Sequence, residues 1–172
     1  MTRILRGVAA SILIAFVAAC NNDSPTRPST ETARFTAQLS PANEVPPVTG
    51  PESIASGTVT IEFAITRDSG GAISSAVALF QMQVASFPVT STITMAHIHR
   101  GAVGANGLVV VDTGVTTGLF PLAGGTGSLS RQGISVTPAV AQEILSNPAA
   151  FYFNIHSSLN PNGVLRGQLV RN

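Results

Sequence analysis

Ser56-Gly57-Thr58-Val59-Thr60-Ile61-Glu62-Phe63-Ala64-Ile65 alternates in polarity with a period of two. Val59, Ile61, Phe63 and Ile65 fall on one side of an extended chain, and Thr58, Thr60, Glu62 and Ala64 on the other, the pattern of a strand with one buried face. Arg67-Asp68-Ser69-Gly70-Gly71 then supplies turn chemistry, and the run from Ala72 to Val84 returns with Ala76, Ala78, Phe80, Met82 and Val84 as its apolar face. These two stretches predict a long hairpin. Upstream, Phe35, Ala37 and Leu39 alternate with Thr36, Gln38 and Ser40. Downstream, strands are expected at Ser91 to His99, Gly107 to Asp112, Gly127 to Arg131, Phe151 to His156 and Val164 to Val170, with glycine-rich breaks between them. One segment departs from this period. Thr137 is suited to cap a helix, Pro138 to open it, Val140, Ile144 and Leu145 share a helical face, and Asn147-Pro148 ends it. The expected fold is therefore all-β, a Greek-key-like antiparallel β-sandwich with one short helix.

The N-terminus reads as an export signal. Arg3 and Arg6 form a positive n-region, and Val8 to Val17 is an apolar stretch too short for a membrane span, which needs about 20 residues. Val17-Ala18-Ala19-Cys20 looks like a lipobox, so residues 1–19 are expected to be a lipoprotein signal peptide and Cys20 the lipidated N-terminus of the mature chain. Cys20 is the single cysteine, so no internal disulfide forms, and acylation removes a free thiol from an oxidising compartment. Several acyl chains anchor stably. The expected placement is an exported chain held by lipid on the cell membrane or outer membrane, facing the periplasm or exterior. Asn21 stands where an aspartate would favour inner-membrane retention in some bacteria, which points to outer-membrane sorting. Residues 20–33, rich in Asn, Ser, Thr and Pro, are expected to form a flexible tether, and residues 34–172 one domain.

Of the nine arginines, two lie in the signal, leaving seven against eight acids in the mature chain, with no lysine at all. The seven are scattered, and no basic stripe exists for phosphate, so a nucleic-acid partner is not expected. The single thiol is taken by lipid, no serine occupies a Gly-x-Ser-x-Gly turn, and the acids are dispersed, so nucleophilic and paired-carboxylate catalysis lack their residues.

All three histidines fall in two stretches, Ala96-His97-Ile98-His99-Arg100-Gly101 and Asn154-Ile155-His156. In a strand, positions i and i+2 share a face, so His97 and His99 project together. In the second stretch, Phe151, Phe153 and Ile155 take one face and Tyr152, Asn154 and His156 the other. Three imidazoles meeting across neighbouring strands would form a mononuclear site with an open position, suited to copper or zinc. The alternative is three structural side chains at the rim of a sandwich, hydrogen-bonded to backbone or to Asn154. Asn106-Gly107 and Asn160-Pro161-Asn162-Gly163 read as turns. Glu44, ahead of Pro46-Pro47, is a natural ion-pair partner for Arg166 in the last strand.

Phe35-Thr36-Ala37-Gln38-Leu39-Ser40-Pro41-Ala42-Asn43-Glu44-Val45-Pro46-Pro47, Ala96 to Gly101 with Asn106-Gly107, Phe151 to His156, and Asn162-Gly163-Val164-Leu165-Arg166-Gly167-Gln168-Leu169 together resemble the chordin (CHRD) domain family. The four motifs occur in order over nearly the whole mature domain, and with the lipobox the chain looks like a bacterial lipoprotein member. The resemblance implies a β-rich domain without established catalysis, found in an extracellular signalling antagonist of animals and in bacterial secreted proteins. Ile155 and Ser157-Ser158 depart from the family pattern and leave the histidines untouched. The His-x-His strand is also similar to the copper strand of copper/zinc superoxide dismutases. Such an enzyme needs more histidines than the three here, so that activity is disfavoured. Two functions follow as expectations. One is a non-enzymatic binding or structural module of the cell envelope with an extracytoplasmic protein or polymer as ligand. The other is a copper- or zinc-binding envelope protein using His97, His99 and His156.

Overall fold

A computed structural model describes residues 27–172. The expected signal peptide, Cys20 and the tether through Thr26 lie outside the described residues. The elements are β1 (Ser29–Leu39), β2 (Ser56–Arg67), β3 (Ile73–Ala85), β4 (Ile93–Arg100), β5 (Val109–Asp112), β6 (Gly127–Val136), α1 (Pro138–Ser146), β7 (Phe151–Ser157), β8 (Leu165–Gln168) and β9 (Val170–Arg171). They form two antiparallel sheets, ordered β6-β3-β2-β1-β9 and β5-β4-β7-β8. Among the described residues no helix is long and apolar enough to cross a membrane.

The expected hairpin is β2–β3. Its register sets Val59 against Met82, Ile61 against Phe80 and Phe63 against Ala78, all buried. A slip of one residue would turn every one of these side chains to solvent, so the apolar pattern fixes the pairing. β1 lies on the other edge of β2, with Phe35 opposite Ile61 and its ring edge-on to Phe63 at 5.4 Å between centroids. Phe80 meets Phe153 of the second sheet at 5.8 Å, joining the two layers in one core. Helix α1 opens as expected, with Thr137 Oγ1 accepting from the Val140 amide at 3.4 Å and Pro138 in the first turn. It buries Ala141, Ile144 and Leu145, while Val140 is only partly covered.

Strand ends shift by one or two residues at several places, and three differences are larger. β1 starts at Ser29, so the last five residues of the expected tether are strand. Ser29 to Thr32 are exposed, and polar contacts such as the ion pair of Arg67 with Glu31 (2.7 Å) extend the pairing where no apolar alternation could announce it. β6 runs on to Val136 through an irregularity opposite Leu79, which breaks the period beyond Arg131. The expected last strand divides: β8 pairs with β7, and after Leu169 the chain crosses to the first sheet, where β9 pairs with β1. Leu169 is buried at this crossing, so the C-terminus closes one corner of the sandwich.

Candidate metal centre

Within β4, Ala96 and Ile98 enter the core, so His97 and His99 share the outer face of the four-stranded sheet. β7 repeats the alternation: Phe153 and Ile155 face the core, and Tyr152, Asn154 and His156 the outside. In the antiparallel register His97 stands between Asp112 of β5 and Asn154 of β7, and His99 beside Tyr152. The outer face is not a solvated one. Segment 101–107 and segment 157–163 contact it, and the histidines are 6–9% exposed, in the middle of the face and not at a rim.

The three rings converge, with centroids 5.1 to 5.9 Å apart. One nitrogen from each lies within 4.8 Å of the others, and His97 Nδ1 is 3.3 Å from His156 Nε2. Ligands about 2 Å from an ion stand about 3.3 Å apart at tetrahedral angles and no more than about 4 Å apart at all. The His97–His156 edge already has this length, and ring rotations that move the nitrogens by about an ångström close the triangle.

The remaining ring nitrogens settle which atoms point inward. His99 Nδ1 lies 3.0 Å from the Gly107 carbonyl, and His156 Nδ1 3.0 Å from the Pro161 carbonyl. A carbonyl only accepts, so both Nδ1 atoms carry the proton and both Nε2 atoms present lone pairs to the centre. His99 Nε2 is buried with no hydrogen-bond partner in the protein. His97 Nε2 faces Asp112 Oδ1 at 3.6 Å, which leaves its Nδ1 as the inward atom. In the metal-free protein His97 Nδ1 donates to His156 Nε2, since the latter has no proton. A bound ion would take the place of that proton, for which His97 Nε2 beside the Asp112 carboxylate would be the alternative seat. Outward nitrogens held by carbonyls, as in His99 and His156, and one facing a carboxylate, as in His97, are the kind of outer layer that orients metal-binding imidazoles.

Burial also keeps the rings uncharged. The pKa of His97 is lowered from 6.5 to about 4, chiefly by desolvation and then by the charge of His156, against an opposing pull from Asp112. His99 and His156 are lowered too, mainly by burial, with the Gly107 and Pro161 hydrogen bonds opposing. Neutral imidazole is the ligand form, so protons compete weakly for this site at neutral pH.

Buried polar groups anchor both covering segments. Arg166 is 1% exposed; its guanidinium donates to the carbonyls of Ala102 (3.0 Å) and Ala105 (2.7 Å) and to Asn106 Oδ1 (3.2 Å). It also lies 3.5 Å over the Tyr152 ring, whose other neighbour is the His99 ring, stacked at 4.9 Å. The expected ion pair with Glu44 does not form; no contact within 4.0 Å joins the two among the described residues. The reason is geometric, since the fork of Arg166 is occupied by loop carbonyls. Glu44 instead accepts from Asn154 Nδ2 at 3.2 Å. Glu52, fully buried, accepts from Ser157 Oγ and Asn160 Nδ2, both at 2.6 Å, and so staples the segment that carries Pro161. Glu52 and the outward role of Asp112 were not anticipated. Asp112 carried a signal, an acid at the end of the apolar run that follows the histidine strand in the chain; Glu52, in a polar Pro-Glu-Ser turn, carried none.

Glu44 Oε1 and Asn154 Oδ1 are both buried acceptors without a partner. Both atoms lie 2.8 Å from where a Cβ at Gly163 would stand, so a proton on Glu44 Oε1 would supply the donor that Asn154 Oδ1 lacks and complete an acid–amide ring with the Asn154 Nδ2 donation. In accord, the Glu44 pKa is raised from 4.5 to about 7 by burial, against the Asn154 hydrogen bond and the Arg166 charge. The folded chain thus binds more protons than the unfolded one between these values. This contribution to stability is complete below pH 4.5 and lost as pH rises through 7. Metal-free Glu44→Gln should therefore gain on the wild type by up to about 3 kcal/mol between pH 4.5 and 8. Urea unfolding of both proteins at the two pH values measures the difference, from which the histidine contributions cancel; parallel pH profiles would refute the ring.

A search of the curated proteins returned no match, and neither did a search of the solved structures. Comparison with protein families matches the CHRD domain over residues 35–169, which spans both sheets and every residue of the histidine cluster, and the chain belongs to the CHRD domain family.

Proposed function

We propose that this chain is an exported, lipid-anchored CHRD-domain protein whose β-sandwich holds one copper or zinc ion through His97 Nδ1, His99 Nε2 and His156 Nε2. The observation that carries the reading is the direction of the nitrogens: His97 Nδ1, His99 Nε2 and His156 Nε2 converge on one place, while Gly107 and Pro161 hold the opposite sides of two rings and Asp112 faces the opposite side of the third. His99 Nε2, buried and without a partner in the protein, is a lone pair that an ion at this place would satisfy. The ligand set leaves a coordination position for a further ligand, and no basic or acidic couple for catalysis stands beside it, so the reading is binding and not turnover.

The anchor rests on the order of residues 1–20 alone: n-region, short apolar stretch, and Cys20 after two alanines. It keeps the metal centre in an oxidising compartment close to a membrane face. Elemental analysis of untagged protein purified in trace-metal-free buffer, then titrated with Cu(II) and with Zn(II), is expected to give one ion per chain, lost in His97→Ala and in His156→Ala. A wild-type stoichiometry near zero for both metals overturns the centre and leaves a β-sandwich module for an extracytoplasmic protein or polymer. Cys20→Ser is expected to release the protein from the membrane fraction; unchanged size and partitioning overturn the anchor.

A further inference from the structure

The face that carries the histidines holds one more candidate ligand. Met95 precedes His97 by two positions, so within β4 Met95, His97 and His99 project to the same side, while Ala96 and Ile98 between them are buried in the core. Strand register brings Met95 to a second histidine as well. The β4–β7 pairing shifts between Ile93 and Met95, and the result is that Met95 stands directly opposite His156. Directly opposed residues on one face have Cβ atoms about 5 Å apart, within reach of a methionine sulfur. Without the shift, the alternation set by Ile93 opposite Ser157 would not give this pairing.

Met95 is also out of place as a core residue. It is 38% exposed although it lies in a strand whose next four residues are all buried. An unbranched thioether at the lip of a cluster of nitrogen donors is flexible enough to turn toward an ion. Asp112 stands behind His97, not among the inward atoms, and Glu44 is engaged by Asn154. Every candidate ligand is consequently uncharged.

Resting on the three-histidine reading, we propose that Met95 Sδ is the fourth ligand, which makes the centre a His3Met site selective for copper and taking it as Cu(I). A thioether is a soft donor that favours Cu(I) and adds little for Zn(II), whereas imidazole serves both. Four neutral donors in a mostly buried place leave the smaller net charge with a monovalent ion, which lowers the desolvation cost relative to a divalent one.

The experiment is an anaerobic competition titration of the full mature protein with Cu(I) against a chromophoric chelator, alongside a Zn(II) titration, for the wild type and Met95→Leu. Leucine keeps the volume and removes only the sulfur. The expected result is a loss of about tenfold or more in Cu(I) affinity with Zn(II) affinity unchanged, and a sulfur scatterer near 2.3 Å in the copper absorption spectrum of the wild type only. Equal affinities of the two proteins for Cu(I), or an equal loss for both metals, overturn the fourth ligand while the three-histidine centre stands. A wild type that binds neither metal overturns both. Unfolding curves for the two metal-free proteins should coincide, and a Met95→Leu chain that has lost its fold by this measure is replaced by Met95→Gln, read in the same way.

Discussion

Arg166→Met should lower the stability of the metal-free protein by about 3 kcal/mol or more, the largest loss expected from any single side chain in the outer layer. Methionine nearly matches the length of the arginine stem, so the effect isolates the guanidinium. Its removal takes the donor from the Ala105 carbonyl and from Asn106 Oδ1, leaves the Ala102 carbonyl with the Ala105 amide alone (3.1 Å), strips the buried stem of its polar end, and takes the cation from the face of Tyr152. Each carbonyl that loses its only partner costs about 1 to 3 kcal/mol. Because segment 101–107 carries Gly107, whose carbonyl orients His99, metal affinity should fall with stability. Arg166→Lys separates charge from shape: a point charge cannot serve three acceptors in a planar fork, so it should recover only a minor part. Urea unfolding with copper or zinc titration of the three proteins checks this. An Arg166→Met midpoint equal to that of the wild type would remove the guanidinium from the centre of this network.

The inner faces of both sheets were readable because burial imposes a period of two, and Val59 to Ile65 and Phe151 to Ile155 obey it. Polar ends were not. Ser29 to Thr32 pair with β2 through backbone and ion pairs in solvent, and such contacts leave no hydrophobic trace. The same physics governs the site. His97 and His99 declared a shared face through their spacing, and His156 its orientation through its neighbours. Their convergence depends on β4 pairing with β7, a contact between strands separated by β5, β6 and α1, which periodicity cannot specify. The second layer was hidden for another reason: two of its three members, Gly107 and Pro161, act through backbone carbonyls, and any residue has one. The opposite charges of Glu44 and Arg166 suggest a pair. In the fold, each is matched instead by neutral groups, Asn154 for one and loop carbonyls for the other. Their separation makes sense of both environments, since the carboxyl retains a proton into the neutral range and the guanidinium organises a loop.

Gly107→Ala should damage the centre most, although it changes no candidate ligand. A Cβ at this position would lie 1.5 Å from the Arg100 carbonyl oxygen and 2.6 Å from its carbon, both backbone atoms, so no side-chain rotation relieves the overlap. The segment between β4 and β5 must move, yet it is held by the Arg100 amide donating to Leu108 O at 2.9 Å on one side and by Arg166 on the other. Movement displaces the Gly107 carbonyl from His99 Nδ1 and the Gly107 amide from the Tyr152 hydroxyl oxygen, which it now reaches at 3.3 Å. Freed from its acceptor, His99 can rotate and change tautomer, so its Nε2 lone pair is no longer aimed at the other two. Loss of an outer-layer partner lowers metal affinity by about 10- to 100-fold. Here the backbone shift adds to it, and the upper end or beyond is expected, with a stability loss of about 3 kcal/mol. Gly163→Ala provides the comparison on the other covering segment. Its Cβ would press on Asn154 and Glu44 side chains at 2.8 Å, at a φ of +132°, so stability should fall there too. Pro161 lies two residues earlier and keeps its bond to His156 if the strain relaxes toward Glu44. Metal titration together with urea unfolding therefore separates the two glycines: Gly107→Ala loses affinity out of proportion to stability, and Gly163→Ala loses stability first. Unaltered affinity in a folded Gly107→Ala protein would mean that His99 needs no carbonyl to hold its tautomer, and the directional argument for the centre would fail with it.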